Sequence, residues 1–292
     1  MEKKFTWLAI SFFYEKEGWH SLVQDALRPF MRSEEYISHA ILYTLAFNRD
    51  RGDNIRLKIW AELSGADKLL VKCQAHFEKF FLLHPLVRPE GNWQPGDHFF
   101  LPFPENSIQY GLYKTPKVWM NTVEESWKLD MCLSDCLLEA VDESVTTESL
   151  LAVAVLLLFS VVCGMTLISG SEKPLGEPEY LQYLKVKGRR VYSEEPDSKV
   201  VFGQMYHTNE SFFVMTRKQI FNEVDDPSDL PDWIGRWKTE CIGEIRKRLD
   251  RGIPFYRIYF ELSNLVCEQL GYDEKFQGLV DFVVHKTMNS VQ

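Results

Sequence analysis

The chain has 292 residues, which fits one large domain or two small ones. With 45% hydrophobic and 26% charged residues it has the composition of an ordinary globular protein, and its 14% of aromatic residues favours a large core. The net charge of −9 argues against binding of nucleic acid, because a phosphate backbone attracts a basic surface. The basic stretches Lys185–Arg190 and Arg246–Arg251 are short and interrupted, as on a solvated surface.

The first third of the chain predicts strands around one helix. A strand over Phe5–Tyr14 is rich in aromatic residues, and a helix over Trp19–Met31 carries apolar residues at helical spacing. A hairpin follows, with strands at His39–Asn48 and Asn54–Glu62 and a turn that contains Gly52. In its second strand, Ile55, Leu57, Ile59 and Ala61 alternate with Arg56, Lys58, Trp60 and Glu62. This alternation places two cations on one face of a sheet.

The remainder of the chain predicts mainly helices. A helix over Ala66–Leu83 leads into a long loop, His84–Pro104, and a short strand, Ile108–Lys114. We expect mixed short elements over Tyr180–Tyr206. The other predicted helices span Val118–Val141, Ser149–Ile168, Glu210–Val224, Asp232–Arg251, Pro254–Leu270 and Asp273–Asn289. Strands followed by helices predict an α+β fold, with an antiparallel sheet from the N-terminal third packed with a mostly helical C-terminal part, in one domain over residues 1–292.

One uncharged stretch, Ser149–Ser171, has about the length that crosses a membrane. It contains polar residues and lacks a basic flank or an aromatic belt, so a buried core helix is favoured over a membrane span. No signal-peptide pattern precedes the first strand, and the six cysteines form no Cys-x-x-Cys pair. Reduced structural thiols and a cytoplasmic, soluble protein are therefore expected.

Common catalytic motifs are absent from the sequence. There is no GxxxxGK[ST] or GxGxxG phosphate-binding loop, and no HExxH or GxSxG motif. The seven histidines are scattered without the spacing of metal ligands. Motifs alone therefore predict only a soluble α+β protein.

The order of the segments resembles the lantibiotic-dehydratase C-terminal family, also described as thiopeptide-type bacteriocin biosynthesis proteins, over nearly the whole chain. Leu27-Arg-Pro29 resembles its Leu-x-Pro element, and Asn54–Lys58 resembles its His-Leu-Arg-Leu-Arg strand. Ile108–Gly111 resembles its Arg-Tyr-Gly-Gly element. Glu124, Trp127 and Asp130 fall where the family has a Glu, an aromatic residue and an Asp on the next helix.

The resemblance implies one of three activities. Members eliminate glutamate from glutamylated Ser or Thr, build a nitrogen heterocycle from two dehydroalanines, or extend peptides with aminoacyl-tRNA in much longer chains. For elimination the family uses two Arg residues, a further Arg and a late His. Here Lys58 and Gln109 replace two of the Arg residues, and Ser263–Glu268 aligns with the late His run but has no His. Lysine keeps the charge but not the bidentate grip on a carboxylate, so elimination is disfavoured.

The resemblance therefore favours a stand-alone pyridine synthase, which joins two dehydroalanines in a formal [4+2] cycloaddition with loss of water and the leader peptide. The expected catalytic residues are Arg56, Lys58, Gln109, Tyr110 and Ser263. The expected substrate-binding residues are Trp60, Tyr113, Glu124, Trp127, Tyr256 and Tyr259. The alternative interpretations are core packing for the tyrosines and a solvated strand face for the two cations.

The expected partner is a modified precursor peptide with leader and core, together with other enzymes of the same pathway. We expect no cofactor, metal, nucleic acid or membrane, and a monomer or homodimer. Two other hypotheses stay open. In the first, the chain is a stand-alone glutamate-elimination subunit of a split dehydratase. In the second, it is a non-catalytic protein that binds the precursor peptide.

Overall fold

The computed structural model describes residues 4–87, 102–111, 123–141, 147–170, 196–221, 230–272 and 274–290. The chain divides into two compact units, Met1–Ser149 and Leu150–Gln292. The predicted basic stretch Lys185–Arg190 and most of the predicted loop His84–Pro104 lie outside the described residues. The single domain proposed from the sequence stays a prediction.

The first unit contains a four-stranded antiparallel sheet with the strand order β2-β3-β1-β4. The strands are β1 (Phe5–Phe13), β2 (Ala40–Asn48), β3 (Asn54–Glu62) and β4 (Ser107–Tyr110). Arg51 and Gly52 have positive φ angles of 62° and 115° in the turn between β2 and β3. The predicted hairpin, including the role of Gly52, is therefore confirmed.

One face of the sheet, called the apolar face, is buried. Ile55, Leu57 and Ile59 of β3 have no exposed surface on this face. Helix α2 (Leu63–Leu83) covers it, and Phe77 of α2 stacks on Phe12 of β1 with ring centroids 3.9 Å apart. Burial of each such side chain contributes about 1.5–3 kcal/mol, so the alternation in β3 fixes which face turns away from this core.

A composite helix follows β1. It consists of a 3-10 turn at Lys16–Gly18, an α turn at Trp19–Ser21, a π-helix at Leu22–Leu27 and an α turn at Arg28–Met31. Pro29 has no N–H to donate, and the wider π turns before it accommodate the missing bond. The predicted helix is thus confirmed. A short helix, α1 (Glu34–His39), leads into β2 and was not predicted from the sequence.

Helix α3 (Val123–Ala140) covers the outer edge of β2. The Leu45 N–H donates a hydrogen bond to Ser134 Oγ at 2.9 Å, and Ser134 Oγ donates to the Asp130 carbonyl at 2.7 Å. The Tyr43 hydroxyl donates to the Asp135 carboxylate. These bonds satisfy an edge strand that is otherwise open to pairing with another chain.

The second unit is helical in its described residues. Its helices are α4 (Thr147–Ser169), α5 (Pro196–Ile220), α6 (Asp232–Asp250), α7 (Phe255–Gln269) and α8 (Glu274–Ser290). With the antiparallel sheet of the first unit, this confirms the predicted α+β class. Within α6, Arg248 pairs with Glu244 at 2.7 Å, as expected for a charged helix face.

Helix α4 contains Leu150–Ser169, which is long and apolar enough to cross a membrane, yet 67% of its most apolar stretch is buried inside the structure. Trp237 Nε1 of α6 donates a hydrogen bond to the Leu157 carbonyl at 3.0 Å. A Cβ added at Gly164 would lie 3.2 Å from side-chain atoms of Ile242 and Ile245. This packing supports the predicted core helix.

Helix α5 corrects one prediction. It begins at Pro196, so the mixed short elements predicted up to Tyr206 are wrong over the last eleven of those residues. Phe202 and Tyr206 lie one turn apart and are buried beside Phe282 of α8, with ring centroids at 6.1 and 6.4 Å. Tertiary packing therefore outweighs the weak helix propensity of Gly203 and the neighbouring valines.

Candidate functional site

The face of the sheet opposite the apolar face combines polar, small and aromatic side chains, and we call it the mixed face. The register places Ser11 of β1 directly between Arg56 of β3 and Gln109 of β4. Adjacent strands lie about 5 Å apart, so these three side chains are immediate neighbours. The next row along β1 holds Ala9 opposite Lys58. The structure therefore brings together three of the predicted catalytic residues.

Arg56 is anchored by partners on the hairpin turn. Its Nε donates a hydrogen bond to Asn54 Oδ1 at 3.1 Å, and its Nη2 lies 3.4 Å from Asp50 Oδ2. The Arg56 side chain is 16% exposed, whereas that of Asp50 is 62% exposed. A long ion pair to an exposed carboxylate is weak. The Asp50 pair consequently holds Arg56 less firmly than the hydrogen bond to Asn54 does.

The neighbours of the two cations on the mixed face have short side chains. Ala46 and Thr44 of β2 lie opposite Arg56 and Lys58, and Ala9 of β1 lies on the other side of Lys58. Both cationic side chains are half-buried, which reduces the screening of their charge by water. The arrangement suits an oxygen-rich ligand that lies flat on the sheet.

An aromatic cluster forms the other end of the mixed face. Trp7 and Trp60 are register partners with ring centroids 4.9 Å apart, and Trp127 of α3 stacks on Trp7 at 4.3 Å. Phe5 stacks on Trp60 at 5.9 Å. Trp60 and Trp127, both predicted as substrate-binding residues, are thus joined through Trp7, which the sequence analysis did not single out.

Two hydrogen-bond donors on the mixed face lack protein partners. Ser11 Oγ and Trp127 Nε1 are buried, and neither has a hydrogen-bond partner in the described structure. Buried polar groups in folded proteins are almost always paired. The period-two alternation of Trp7, Ala9 and Ser11 against Leu8, Ile10 and Phe12 was the sequence signal that could have indicated Ser11.

Tyr110 lies on the apolar face, away from Arg56. It is the register partner of Ile10, whereas Gln109 is the partner of Ser11. Its side chain is 40% exposed, and burial, followed by the nearby Cys73 and Glu78 of α2, raises its pKa to about 12. Successive residues of a strand point to opposite faces, so Gln109 and Tyr110 do not act side by side.

Two other predicted residues have no described side chain. Tyr113 lies outside the described residues. Glu124 belongs to the first turn of α3, about one turn before Trp127, but the described side chains of this helix begin at Trp127. Both stay predictions.

The predicted residues of the second unit belong to a different cluster. Asp281 of α8 accepts hydrogen bonds from Ser263 Oγ at 2.8 Å and from the Tyr259 hydroxyl at 3.1 Å. All three side chains are buried, and Gln277 Nε2 donates to Ser263 Oγ at 3.4 Å. Tyr256 is half-buried on the same helix. The cluster joins α7 to α8, and no sequence pattern indicated Asp281, which accepts hydrogen bonds from both hydroxyls.

No protein-family model and no curated protein matches the chain. Solved structures do match its fold. The pyridine synthase TbtD from thiomuracin biosynthesis aligns with 99% of this chain and 99% of its own, with a TM-score of 0.66 and 16% identity. TsrL aligns with 98% of this chain and 95% of its own, with a TM-score of 0.61 and 12% identity.

A third match is the tRNA-dependent lantibiotic dehydratase MibB from Microbispora sp. 107891. It covers 97% of this chain but only 28% of the dehydratase, with a TM-score of 0.50 and 12% identity. At these identities the matches establish a shared fold. The structural resemblance to thiopeptide and lantibiotic enzymes that the sequence motifs indicated is therefore confirmed.

Proposed function

We propose that the chain is a thiopeptide-maturation enzyme that forms a six-membered nitrogen heterocycle from two dehydroalanines of a precursor peptide and releases the leader peptide. The proposal rests on the fold that the chain shares with a pyridine synthase along nearly its whole length. The observation that carries it within this chain is the mixed face, where Arg56, Lys58 and Gln109 lie beside a cluster of tryptophans.

The first requirement of this reaction is the alignment of two alkenes. Holding reactants in register supplies roughly 7–11 kcal/mol of the barrier without any reactive side chain. Trp60, Trp7 and Trp127 offer flat apolar surfaces on which planar unsaturated peptide units stack. In the proposed function these rings position the substrate and exclude water.

The second requirement is proton transfer at an amide. The amide between the reacting units tautomerises before the ring closes, and water and the leader amide leave afterwards. Arg56 and Lys58 stabilise the negative charge that develops on oxygen, and the Gln109 amide donates a hydrogen bond to the same region. The residues of this face therefore supply donors without a strong base, as a cycloaddition requires.

The other residues predicted from the sequence have different proposed roles. The Ser263 and Tyr259 hydroxyls donate to Asp281 within the second unit, which fits a structural role. Tyr256, Tyr113 and Glu124 remain proposed substrate contacts, and Tyr110 can act only from the apolar face. We propose no cofactor, a cytoplasmic location and the modified precursor peptide as partner, with neighbouring pathway enzymes acting before it.

Incubation of the purified chain with a precursor peptide that carries two dehydroalanines, azole rings and its leader tests the proposal. Mass spectrometry should detect a product lighter by one water and the leader amide, together with a leader-sized fragment. A peptide with only one dehydroalanine is the matched control and should remain unchanged. Recovery of the intact bis-dehydroalanine peptide after prolonged incubation would refute pyridine formation.

Glutamate elimination is a second candidate, because Arg56 and Lys58 lie on one face and together attract an anionic glutamyl group. A peptide with a glutamylated serine distinguishes the two functions. Its conversion to dehydroalanine, with no reaction of the bis-dehydroalanine peptide, would replace the first proposal by the second. Tight binding of both peptides without a change in mass would indicate a non-catalytic binding partner.

A further inference from the structure

Two buried donors of the mixed face are left without protein partners, whereas two buried indoles and two buried serines elsewhere in the chain have theirs. Trp19 Nε1 donates to the Tyr14 carbonyl at 2.9 Å, and Trp237 Nε1 donates to the Leu157 carbonyl at 3.0 Å. Trp127 Nε1 is buried like these two but has no acceptor. The fold therefore satisfies the buried indoles of Trp19 and Trp237 but not the one that stacks on the mixed face.

Ser11 shows the same contrast among the serines. Ser134 and Ser160 are fully buried, and their hydroxyls donate to the carbonyls of Asp130 at 2.7 Å and Leu156 at 3.0 Å. Ser11 is equally buried, but its strand offers no carbonyl to its side chain, and its Oγ has no partner. An alanine or a valine at this position would fit a β-strand without leaving a polar atom unpaired.

The chemistry of the mixed face identifies what it can receive. An indole N–H, a guanidinium and an ammonium group are donors only. A ligand that binds beside Trp127, Arg56 and Lys58 must therefore be rich in acceptors, and Ser11 and Gln109 can donate to the same ligand. Main-chain carbonyl oxygens of an extended peptide are acceptors that recur at regular intervals along a chain.

The spacing along β1 also fits a peptide. Trp127 stacks on Trp7, and Ser11 lies four residues further along the strand. Four residues of a strand span about 13 Å. An extended peptide of about four residues, lying along β1, would bring one carbonyl to each end of this interval.

We infer that Ser11 Oγ and Trp127 Nε1 are substrate-binding donors that hydrogen-bond two main-chain carbonyl oxygens of the precursor peptide. Ser11 binds the carbonyl nearest Arg56 and Gln109, and Trp127 binds a carbonyl at the aromatic end. This assignment rests on the proposed function for the identity of the peptide. It adds two fixed points that set the register of the substrate on the sheet.

Access to Ser11 depends on its neighbours, because its side chain has no exposed surface in the free protein. Arg56 is the register partner of Ser11, and its ion pair with Asp50 is weak because it is 3.4 Å long and the carboxylate is largely exposed. In the inferred binding event the guanidinium turns from Asp50 to the incoming peptide, and this movement gives the peptide access to the Ser11 hydroxyl. Binding of the peptide and release of Asp50 are then the same event.

Calorimetric titration with a synthetic leader-bearing bis-dehydroalanine peptide tests the inference. Ser11→Ala and Trp127→Phe should each weaken binding about tenfold, the effect of one hydrogen bond, while the melting temperature stays equal or rises. Ser11→Cys keeps the volume but is a weak donor, so it should bind as weakly as Ser11→Ala. Ser134→Ala is the matched control, with a lower melting temperature and unchanged affinity.

The outcomes separate this inference from the proposed function. Equal affinity of wild type, Ser11→Ala and Trp127→Phe would overturn it, and so would a fall in melting temperature that accompanies the loss of affinity. Absence of peptide binding by the wild type would also overturn it. If the wild type binds the peptide without forming a heterocycle, the proposed function fails, while a tenfold loss of affinity in the variants still supports the two donors.

Discussion

Buried polar side chains of the helical unit and of the mixed face differ in whether they have hydrogen-bond partners. In the helical unit, Asp281 accepts hydrogen bonds from Ser263 and Tyr259, and Gln277 donates to the same serine. On the mixed face of the sheet, Ser11 is equally buried but has no partner. The helical cluster is paired in the free protein, whereas on the mixed face the Ser11 hydroxyl and the Trp127 indole have no partner.

This difference separates stabilising groups from binding groups. A completed cluster contributes to the free energy of unfolding, and removal of one member leaves buried groups unpaired. A donor without a partner destabilises the free protein and contributes only when a ligand supplies the acceptor. Substitutions in the helical cluster should therefore change stability, and substitutions on the mixed face should change substrate binding and turnover.

The largest effect on stability is expected for Asp281→Ala. The substitution leaves the hydroxyls of Ser263 and Tyr259 without their acceptor in the interface between α7 and α8. Hydrogen bonds to a carboxylate are strong, so we expect the free energy of unfolding to fall by about 3 kcal/mol. Urea denaturation followed by circular dichroism measures this change.

The control for Asp281→Ala is Asp250→Ala, at an exposed position in the last turn of α6. A carboxylate there opposes the helix dipole, so its removal should leave stability unchanged or slightly higher. If Asp281→Ala were as stable as this control but inactive toward the peptide, the helical cluster would be the reactive one and the comparison would be reversed.

The sequence was sufficient to predict the elements of the sheet and the two cations. Alternation in β3 placed Arg56 and Lys58 on one face because only one face of this strand can join the core. The Gly271 cap after α7 was also predictable, since its φ angle of 68° is one that glycine adopts without strain. These features depend on local periodicity and on single residues.

The composition of the site depends on the pairing of strands that are distant in the sequence. That Gln109 joins Ser11 and Arg56 while Tyr110 faces the other way follows from the register of β1 with β4. The motif around Gln109 and Tyr110 suggested one shared site for both. The role of Asp281 as acceptor for Ser263 was equally hidden, because it depends on how α7 and α8 pack.

The largest effect on turnover is expected for Arg56→Gln. Loss of a cation that faces the developing negative charge should lower kcat/KM about a hundredfold. Stability should fall by only about 1 kcal/mol, because the pair with Asp50 is long and partly exposed and the hydrogen bond to Asn54 is a single contact. Arg257→Gln, which removes an exposed guanidinium paired with Glu261 at 3.3 Å in the helical unit, is the matched control and should keep full turnover.

The same substitution, tryptophan to phenylalanine, can be made on the mixed face and in the helical unit. Trp127→Phe keeps a ring that stacks on Trp7 but removes an N–H without a partner, so kcat/KM should fall about tenfold at unchanged stability. Trp237→Phe removes the bond to the Leu157 carbonyl, so stability should fall by about 1–2 kcal/mol at unchanged turnover. If both variants lost the same stability and the same kcat/KM, the unpaired indole of Trp127 would have no role in substrate binding.

The smallest effect concerns the pH dependence of stability. Burial, with a contribution from Lys286, lowers the pKa of His285 to about 4 in the folded protein. The unfolded chain binds its proton near pH 6.5, so the stability due to neutral His285 is complete above about pH 6.5 and is lost as the pH falls toward 4. The side chain is partly exposed, so we expect a loss of about 1 kcal/mol between pH 7 and pH 5.

His285→Gln removes the titrating group and should flatten this part of the profile. Denaturation of both proteins at pH 5, 6 and 7 measures the difference, and substrate affinity at pH 7 should be the same in both. His285 lies on α8 in the helical unit, so a change in affinity at pH 7 would contradict the division between the two clusters. An unchanged pH profile in the variant would instead assign the acid sensitivity to other groups.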